Sequence, residues 1–203
     1  MLKGFCDAAG VQVSMGDIYV TMFNAALKGD KDCGGVINMP LFSGEPVVGL
    51  NEGRPMMIRT PDAKLTFANF SRSLVAGAMS SLKLGMDILA KENVQDDSLL
   101  GHGGYFKTPL AGQTILAASL NTPISVMETA GEGGPWGMAL LAAYRANKEE
   151  GQTLEAYLNE KVFASAKSAT VAPQAEDVAG INAYTAKFVA CLDAEKAAVE
   201  KFN

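Results

Sequence analysis

The longest hydrophobic pattern in the chain runs from about Leu65 to Ala90. Seven apolar residues recur there at steps of three and four, the spacing of one face of an α-helix. They are Phe67, Phe70, Leu74, Ala78, Leu82, Met86 and Leu89. The pattern predicts one long helix whose apolar stripe lies in the hydrophobic core. A shorter pattern predicts a helix from Met15 to Leu27, and the glycine- and proline-rich segment from Cys33 to Pro61 predicts loops with short strands.

Beyond Asp97 the pattern changes to short apolar runs that alternate with helical ones. Residues 98–100 predict a strand that enters a glycine-rich turn at 101–104. Residues 124–127 include the β-branched Ile124 and Val126 and predict a second strand, which enters another glycine-rich turn at 131–134. Strands that alternate with helices predict a mostly parallel sheet covered by helices.

A helix is expected after each glycine-rich turn. Thr108 followed by Pro109 predicts a helix with threonine as its N-cap and proline as its first residue. Pro135 gives the helix after the second turn the same kind of start. The tail predicts two further helices, at about 153–163 and 175–202.

Composition and charge narrow the class of protein. The chain has 203 residues, 48% hydrophobic and 19% charged, which is typical of a folded domain. Its 17 basic and 22 acidic residues give a net charge of -5, so we expect no nucleic-acid partner. No apolar run approaches the ~18 residues of a membrane span, so we expect no membrane partner. Three widely spaced cysteines, Cys6, Cys33 and Cys191, favour reduced thiols and a cytoplasmic location.

The two glycine-rich turns carry the main candidate chemistry. Backbone N–H groups at a helix start suit an anion, and glycine lets a ligand lie directly on the backbone. The common phosphate-binding motifs are absent, because Phe106 and Trp136 stand where a dinucleotide fingerprint requires glycine. From these residues alone, nucleotide-binding turns and purely structural turns both remain open.

The order of residues through this region resembles the C-terminal domain of the FGGY family of carbohydrate kinases. Leu41–Pro46 also resembles the family's upstream Ser-Gly-Glu turn, and Met127–Gly134 is most similar to the xylulokinase branch, with ribulokinases next. The resemblance follows residues 5 to 203 in order and is most specific over 97–145. The matching features are Gly103-Gly104, Lys107-Thr108, Gln113, Pro123-Ile124, Glu128 and the helix from Gly133 to Ala143.

This resemblance implies an actin-like, ribonuclease H-like α/β fold, with a mixed sheet covered by helices. Residues 1–203 would form the C-terminal, ATP-side domain of a kinase, incomplete relative to the family fold. Family members transfer the γ-phosphoryl group of ATP, with Mg²⁺, to a sugar hydroxyl, here of a pentulose such as D-xylulose. ATP and ADP are therefore the expected ligands.

The nucleotide-binding residues follow from the same resemblance. Gly104 and Thr108 match family positions that line the adenosine pocket, and Gly103 is their neighbour. Gly133 of the second turn is expected to line the same pocket, and Lys107 is expected to attract the phosphate groups. Glu128 and Glu132 flank the second turn, where capping of N–H groups and a water-mediated Mg²⁺ contact both remain open.

The chain also departs from the family pattern. It contains neither the preceding domain, which carries the sugar site and the catalytic aspartate, nor a Gly-Thr-Ser phosphate turn. We therefore expect no catalytic residue and no resident metal site in this chain, and no activity from it alone. A sheet edge or apolar face left uncovered would favour a homo-oligomer. The alternatives are the domain of a ribulokinase or another FGGY kinase, and a non-catalytic actin-like interaction module.

Overall fold

The computed structural model describes residues 1–94, 96–128, 131 and 133–202, which form eight α-helices and five β-strands. The helices are α1 (Leu2–Ala8), α2 (Met15–Ala26), α3 (Phe67–Lys91), α4 (Ala111–Leu120), α5 (Gly133–Asn147), α6 (Leu154–Tyr157), α7 (Ala175–Ala190) and α8 (Leu192–Lys201). The strands are β1 (Val36–Met39), β2 (Met56–Arg59), β3 (Leu99–Gly101), β4 (Ile124–Met127) and β5 (Ser168–Val171).

Side-chain caps fix the starts of the two helices that the hydrophobic pattern predicts most directly. Ser14 Oγ accepts a hydrogen bond from the Asp17 N–H, and the Asp17 carboxylate accepts one from the Ser14 N–H, both at 3.1 Å. Thr66 Oγ1 accepts from the Asn69 N–H at 3.1 Å in the same way. Both predicted helices are confirmed, as α2 and α3.

The strands form two sheets. β1 and β2 make an antiparallel pair, and the second sheet has the order β3-β4-β5. β4 is parallel to β3, with Ile124 opposite Leu99, and antiparallel to β5, with Met127 opposite Ser168. The prediction of a mostly parallel sheet is therefore wrong, and the mixed sheet implied by the resemblance is present. β5 escapes sequence analysis because it is short and mostly exposed, so it has no alternating apolar pattern.

Two predicted helix starts shift. Thr108 does not cap α4: it ends a short 3₁₀ turn at Gly104–Lys107, and α4 begins at Ala111 after Leu110, whose φ is +65°. The 3₁₀ segment follows directly from Gly103 and occupies the residues before Thr108, so Thr108 to Leu110 form the connection to α4. α5 begins at Gly133, which places Pro135 inside its first turn, where a missing N–H is tolerated.

The tail differs from two uninterrupted helices. The segment after Thr153 forms α6 and then a π-helical turn at Leu158–Val162. The last helix is divided at Cys191 into α7 and α8.

A buried ion pair fixes the face of α3 that packs inward. Arg72 is fully buried, and its Nη2 donates to Asp177 Oδ1 on α7 at 2.7 Å. Its other nitrogens donate to the carbonyls of Ala26 and Lys31 at 3.3 Å, and Lys31 Nζ lies 2.9 Å from both Asp177 oxygens. Burial alone would raise the pKa of Asp177, but hydrogen bonds from Lys31 and Arg72 outweigh it and lower that pKa. One arginine thus joins α2, α3 and α7.

Close backbone approach reinforces this arrangement beside β1. A Cβ added to Gly77 would lie 2.2 Å from the Asn38 carbonyl oxygen, so only glycine fits there. The Tyr184 hydroxyl accepts from the Asn38 N–H at 3.1 Å and lies 3.0 Å from the Asn38 carbonyl. α3, β1 and α7 are therefore held in contact by small and polar groups as well as by apolar ones.

The apolar stripe of α3 is consequently not the core, and that prediction is wrong. The buried face consists instead of small and polar residues, because these permit the ion pair and the close approach to β1. Leu82 and Leu89 of the stripe are 45% and 43% exposed. The buried residues are Asn69, Ser71, Arg72, Ser73, Ala76, Gly77 and Ser80.

By length and composition alone, α3 meets the requirement for a membrane span, with a mean hydropathy of 1.2 over its most apolar window. In the structure, however, α3 lies inside the domain, where it contacts α2, β1, α4 and α7. A fully buried arginine paired with an aspartate on another helix is a feature of a domain interior.

Gln113 on α4 connects the helix to the sheet. The side chain is 6% exposed, and its Nε2 donates to the carbonyls of Ile124 on β4 and Ala169 on β5, at 3.2 and 2.9 Å. A single amide therefore holds two neighbouring strands against α4.

We expect Arg72→Ala to lower the free energy of unfolding by about 3–5 kcal/mol, because Asp177 would keep only Lys31 as a charged partner and the Ala26 and Lys31 carbonyls would lose their buried donor. Urea unfolding followed by circular dichroism measures the change. Lys196→Ala is the control: its ion pair with Asp193 is exposed, so it should change stability by less than about 1 kcal/mol. Equal small effects from both variants would contradict the structural role of Arg72.

We expect Gln113→Met to destabilise the chain by about 1–3 kcal/mol, because a similar volume is kept while both strand carbonyls lose their donor. The same unfolding measurement applies. Gln174→Met removes an exposed amide that donates only to the nearby Ala172 carbonyl and should have little effect. A stability unchanged by Gln113→Met would show that the amide does not hold the strands.

Candidate functional site

The first glycine-rich turn follows β3 and is shaped by glycine conformations. Gly103 has φ +100° and ψ −179°, a region that is essentially restricted to glycine. The Phe106 N–H donates to the Gly103 carbonyl at 3.1 Å and closes the turn. Side chains larger than hydrogen at Gly103 would strain this backbone, whatever space is available.

Glycines near this turn have two different roles. A Cβ on Gly101 would lie 2.4 Å from Phe106 Cζ, and one on Gly112 would lie 2.7 Å from Tyr105 Cε1. These two glycines are required by internal packing of the turn. Among the described residues, and leaving out the neighbours along the chain, no atom lies within 4 Å of a Cβ built on Gly103 or Gly104. The positive φ of Gly103 requires glycine there, and both glycines leave open space beside the backbone.

Two aromatic residues hold the turn in place. The Tyr105 hydroxyl donates to the Gly112 carbonyl of α4 at 3.1 Å, and its ring packs edge-on against Phe23 of α2 and Phe106. Burial raises the pKa of Tyr105, so the hydroxyl stays protonated as a donor. The side chain of Tyr105 thus fixes the turn to α2 and α4, and Gly103 and Gly104 take no part in this packing.

The second glycine-rich turn lies against the first. A Cβ built on Gly133, the first residue of α5, would lie 3.5 Å from the Cα of Gly103. One built on Gly131 would lie 3.4 Å from Lys107 Cε. This proximity follows from topology, because β3 and β4 are parallel and their carboxyl ends reach the same edge of the sheet. In open α/β sheets this edge is where ligands bind.

A cleft of about 530 Å³ lies at this edge of the sheet. The cleft is lined by the 3₁₀ turn and the residues after it, by the end of β4 and by the start of β5. The lining residues are Phe106, Lys107, Pro109, Gln113, Val126, Met127, Glu128, Gly131, Lys167, Ser168 and Ala169. Its volume lies within the range of small-molecule sites.

The residues expected from the sequence lie in different parts of this region. Lys107 lines the cleft, whereas the other expected residues, Gly103, Gly104, Thr108 and Gly133, do not line it. Gly133 lies against Gly103, and Gly131, which does line the cleft, lies near Lys107. Gly104 is exposed next to them, whereas Thr108 is buried, with 6% of its surface accessible. Glu128 lines the cleft, while Glu132 lies outside the described residues.

Two polar residues of the cleft have little signal in the sequence. Gln113 enters only as part of the resemblance, and Lys167 is not singled out because the strand that follows it has no predictive pattern. A weak indication was available: Thr170 and Val171 are β-branched and precede Pro173, which marks the end of a strand.

A second cavity, of about 540 Å³, lies away from the glycine-rich turns and is lined by charged residues. Asp32 there accepts a hydrogen bond from Lys187 Nζ at 2.9 Å, which lowers the pKa of this carboxyl. Among the described residues, no group of three or more histidine, cysteine, aspartate or glutamate side chains has the geometry of a metal site.

Solved structures of sugar kinases are similar to this chain in fold. A xylulose kinase from Lactobacillus acidophilus has a TM-score of 0.67 at 17% identity, over 90% of this chain and 36% of its own. A gluconate kinase from the same organism has a TM-score of 0.63 at 17% identity, over 90% and 35%. A glycerol kinase from Plasmodium falciparum, solved with ADP, has a TM-score of 0.61 at 19% identity, over 86% and 33%.

This likeness confirms the actin-like, ribonuclease H-like α/β fold, and the chain spans about a third of the length of these kinases. None of the curated protein sequences is similar enough to count as a match. The family model for the C-terminal domain of the FGGY family of carbohydrate kinases matches residues 6–146. The match covers well over half of the residues, and the chain therefore belongs to the FGGY family of carbohydrate kinases, as its C-terminal domain.

Proposed function

We propose that this chain is the nucleotide-binding domain of an ATP-dependent sugar kinase, and that ATP or ADP binds at the two glycine-rich turns. The observation that supports this most is the pair of open glycines, Gly103 and Gly104, beside the cleft at the carboxyl edge of β3 and β4. Bare backbone at this edge lets a flat ring or a phosphate approach its N–H groups directly.

The proposed ligand contacts divide by chemistry. Gly103, Gly104 and Gly133 offer surface without side chains to the nucleoside, and Lys107 offers a cation to its phosphates. Thr108 is buried, so its proposed role is to support the first glycine-rich turn on the side away from the nucleotide. These roles are proposals that rest on the positions of the residues around the cleft.

Magnesium would enter this site with the nucleotide. Among the described residues that line the cleft, Glu128 is the sole carboxylate. Mg²⁺ typically keeps several waters and binds through one or two carboxylates plus substrate phosphates. A water-mediated contact from Glu128 fits that pattern, and it needs no metal cage built by this chain.

The acceptor in the proposed reaction is a pentulose such as D-xylulose. Its hydroxyl oxygen would attack the γ-phosphorus, the bond from that phosphorus to the ADP oxygen would break, and a base would take the hydroxyl proton. Phosphoryl transfer requires acceptor, base and metal in line within one closed site. The resemblance implies that the base and the sugar contacts lie on the family's N-terminal domain, and this chain spans about a third of the length of the kinases it is similar to.

Two alternatives remain. The domain of a ribulokinase or another FGGY kinase would bind the same nucleotide and differ in the sugar. A non-catalytic actin-like interaction module would not require nucleotide binding at all, so a nucleotide titration separates it from the kinase domain. A cytoplasmic location suits all of these.

The burial of Cys33 is compatible with that location. Burial raises the pKa of the Cys33 thiol to about 12, which keeps this cysteine protonated and unreactive.

The uncovered apolar face of α3 supports a further part of the proposal, a homo-oligomer. Leu82, Ile88 and Leu89 are 45%, 51% and 43% exposed on one helix. β3 lies at the edge of its sheet and pairs only with β4 among the described strands. Exposed apolar side chains on one helix and a strand at the edge of its sheet both favour association between copies.

We expect Mg-ATP and ADP to bind the pure chain with millimolar or tighter affinity, and Gly104→Leu to weaken this by more than about tenfold. The leucine side chain would fill space next to the backbone, and its Cβ meets no protein atom within 4 Å, so the fold should persist. Isothermal titration calorimetry measures both.

Gly85→Leu on α3 is the matched control, since a Cβ there also meets nothing within 4 Å. Equal affinity in the Gly104→Leu variant would remove the first turn from the site. No binding by the unaltered chain would favour the interaction module.

We expect the pure chain to leave D-xylulose and L-ribulose unphosphorylated in the presence of Mg-ATP. A coupled assay for ADP release measures this, with an intact xylulokinase as the positive control. Sugar-dependent ADP release by the 203-residue chain would show that it contains its own catalytic base.

Sedimentation velocity should show the average mass of the chain rising with concentration. Leu82→Glu should restore a monomer, because it places a charge on the exposed stripe, whereas Met138→Glu on α5, where Met138 is 68% exposed, should not. A single monomeric species at every concentration would refute self-association.

A further inference from the structure

We propose that Lys167 is a second contact for the phosphate groups of the bound nucleotide, in the same cleft as Lys107. This inference rests on the proposed nucleotide site and adds a residue that neither the family motif nor the pattern of the sequence singles out.

Strand direction brings Lys167 to the cleft. β3 and β4 are parallel, so their carboxyl ends and the two glycine-rich turns share one edge of the sheet. β5 runs antiparallel to β4, so its amino end arrives at that same edge, with Ser168 opposite Met127. Lys167 immediately precedes this strand, and its position at the edge is therefore a consequence of the topology.

The backbone around Lys167 is fixed by hydrogen bonds. The Lys167 carbonyl accepts from the Glu128 N–H at 3.2 Å, and the Ala169 carbonyl accepts from Gln113 Nε2 at 2.9 Å. The residue is exposed, so its long side chain has freedom on an anchored backbone. Such a lysine can extend to a charged ligand without disturbing the fold.

The charges that line the cleft favour a polyphosphate. Among its described lining residues, two are cationic, Lys107 and Lys167, and one is anionic, Glu128. The two lysines come from different elements, Lys107 from the 3₁₀ turn and Lys167 from the residue before β5. The ion pairs of the described residues include neither of them. In a chain with a net charge of -5, this is a local site of attraction for an anion.

The test compares ligands that share a nucleoside and differ in phosphates. Equilibrium titrations of ATP, ADP and adenosine are made on the unaltered chain and on Lys167→Gln, Lys167→Arg and Lys161→Gln. We expect Lys167→Gln to weaken ATP and ADP by about tenfold and to leave adenosine unchanged, because one charged hydrogen bond is lost. Lys167→Arg should keep most of the affinity. Lys161→Gln removes an equal charge outside the cleft, from a pair with Glu149, and should have no effect.

The outcomes separate this inference from the function on which it rests. ATP affinity that is unchanged in Lys167→Gln would overturn the role of Lys167 and leave the nucleotide site standing. Equal weakening of ATP and adenosine would also overturn it, since the residue would then act on the shape of the cleft. If the unaltered chain binds neither nucleotide nor adenosine, the proposed function itself fails, and the inference fails with it.

Discussion

The buried pair of Arg72 and Asp177 is the interaction on which the rest of the domain depends. A guanidinium that is fully removed from water must keep its partners, because an unpaired buried charge is far less stable than a paired one. Its partners lie on α7, at the end of α2 and in the loop that follows. This requirement fixes which face of α3 points inward. The apolar stripe is left outside as a result, and the small residues that remain inside allow β1 to approach.

The same constraint positions the candidate site indirectly. α3 packs against α4, and α4 in turn holds β4 and β5 through Gln113. Because β3 and β4 are parallel, both glycine-rich turns lie at one edge of the sheet. Because β5 is antiparallel to β4, Lys167 lies at that same edge. The cleft is therefore built by strand direction and by one buried amide. Its open glycines are the features that internal packing does not explain.

Local chemistry made part of this structure predictable from the sequence. The periodicity from Met15 and from Leu65 reflects contacts within a few residues, so it indicates α2 and α3 directly. The β-branched residues Ile124 and Val126 indicate β4 for the same reason. The glycine pair at 103–104 pointed to the region of the cleft through its resemblance to a family motif.

What the sequence left undetermined depends on contacts between distant segments. Periodicity identifies the apolar side of α3, but Arg72 and Asp177 are 105 positions apart, and their pairing decides which side is buried. Lys167 lies at the cleft because β5 pairs with β4, and this pairing has no local sequence pattern. Thr108 and Pro109 have the composition of a helix start, yet the 3₁₀ turn before them delays α4 to Ala111.

A nucleotide site at the glycine-rich turns is tested most directly by a nuclear magnetic resonance titration of the ¹⁵N-labelled chain with ADP. We expect the backbone amide signals of Gly103, Gly104, Lys107 and Gly133 to shift together. The signals of Gly34 and Gly35, in the second cavity, should stay in place. Shifts that gather at Gly34 and Gly35, or no shift at the glycine-rich turns at saturating ADP, would contradict a nucleotide site at the carboxyl edge of the sheet.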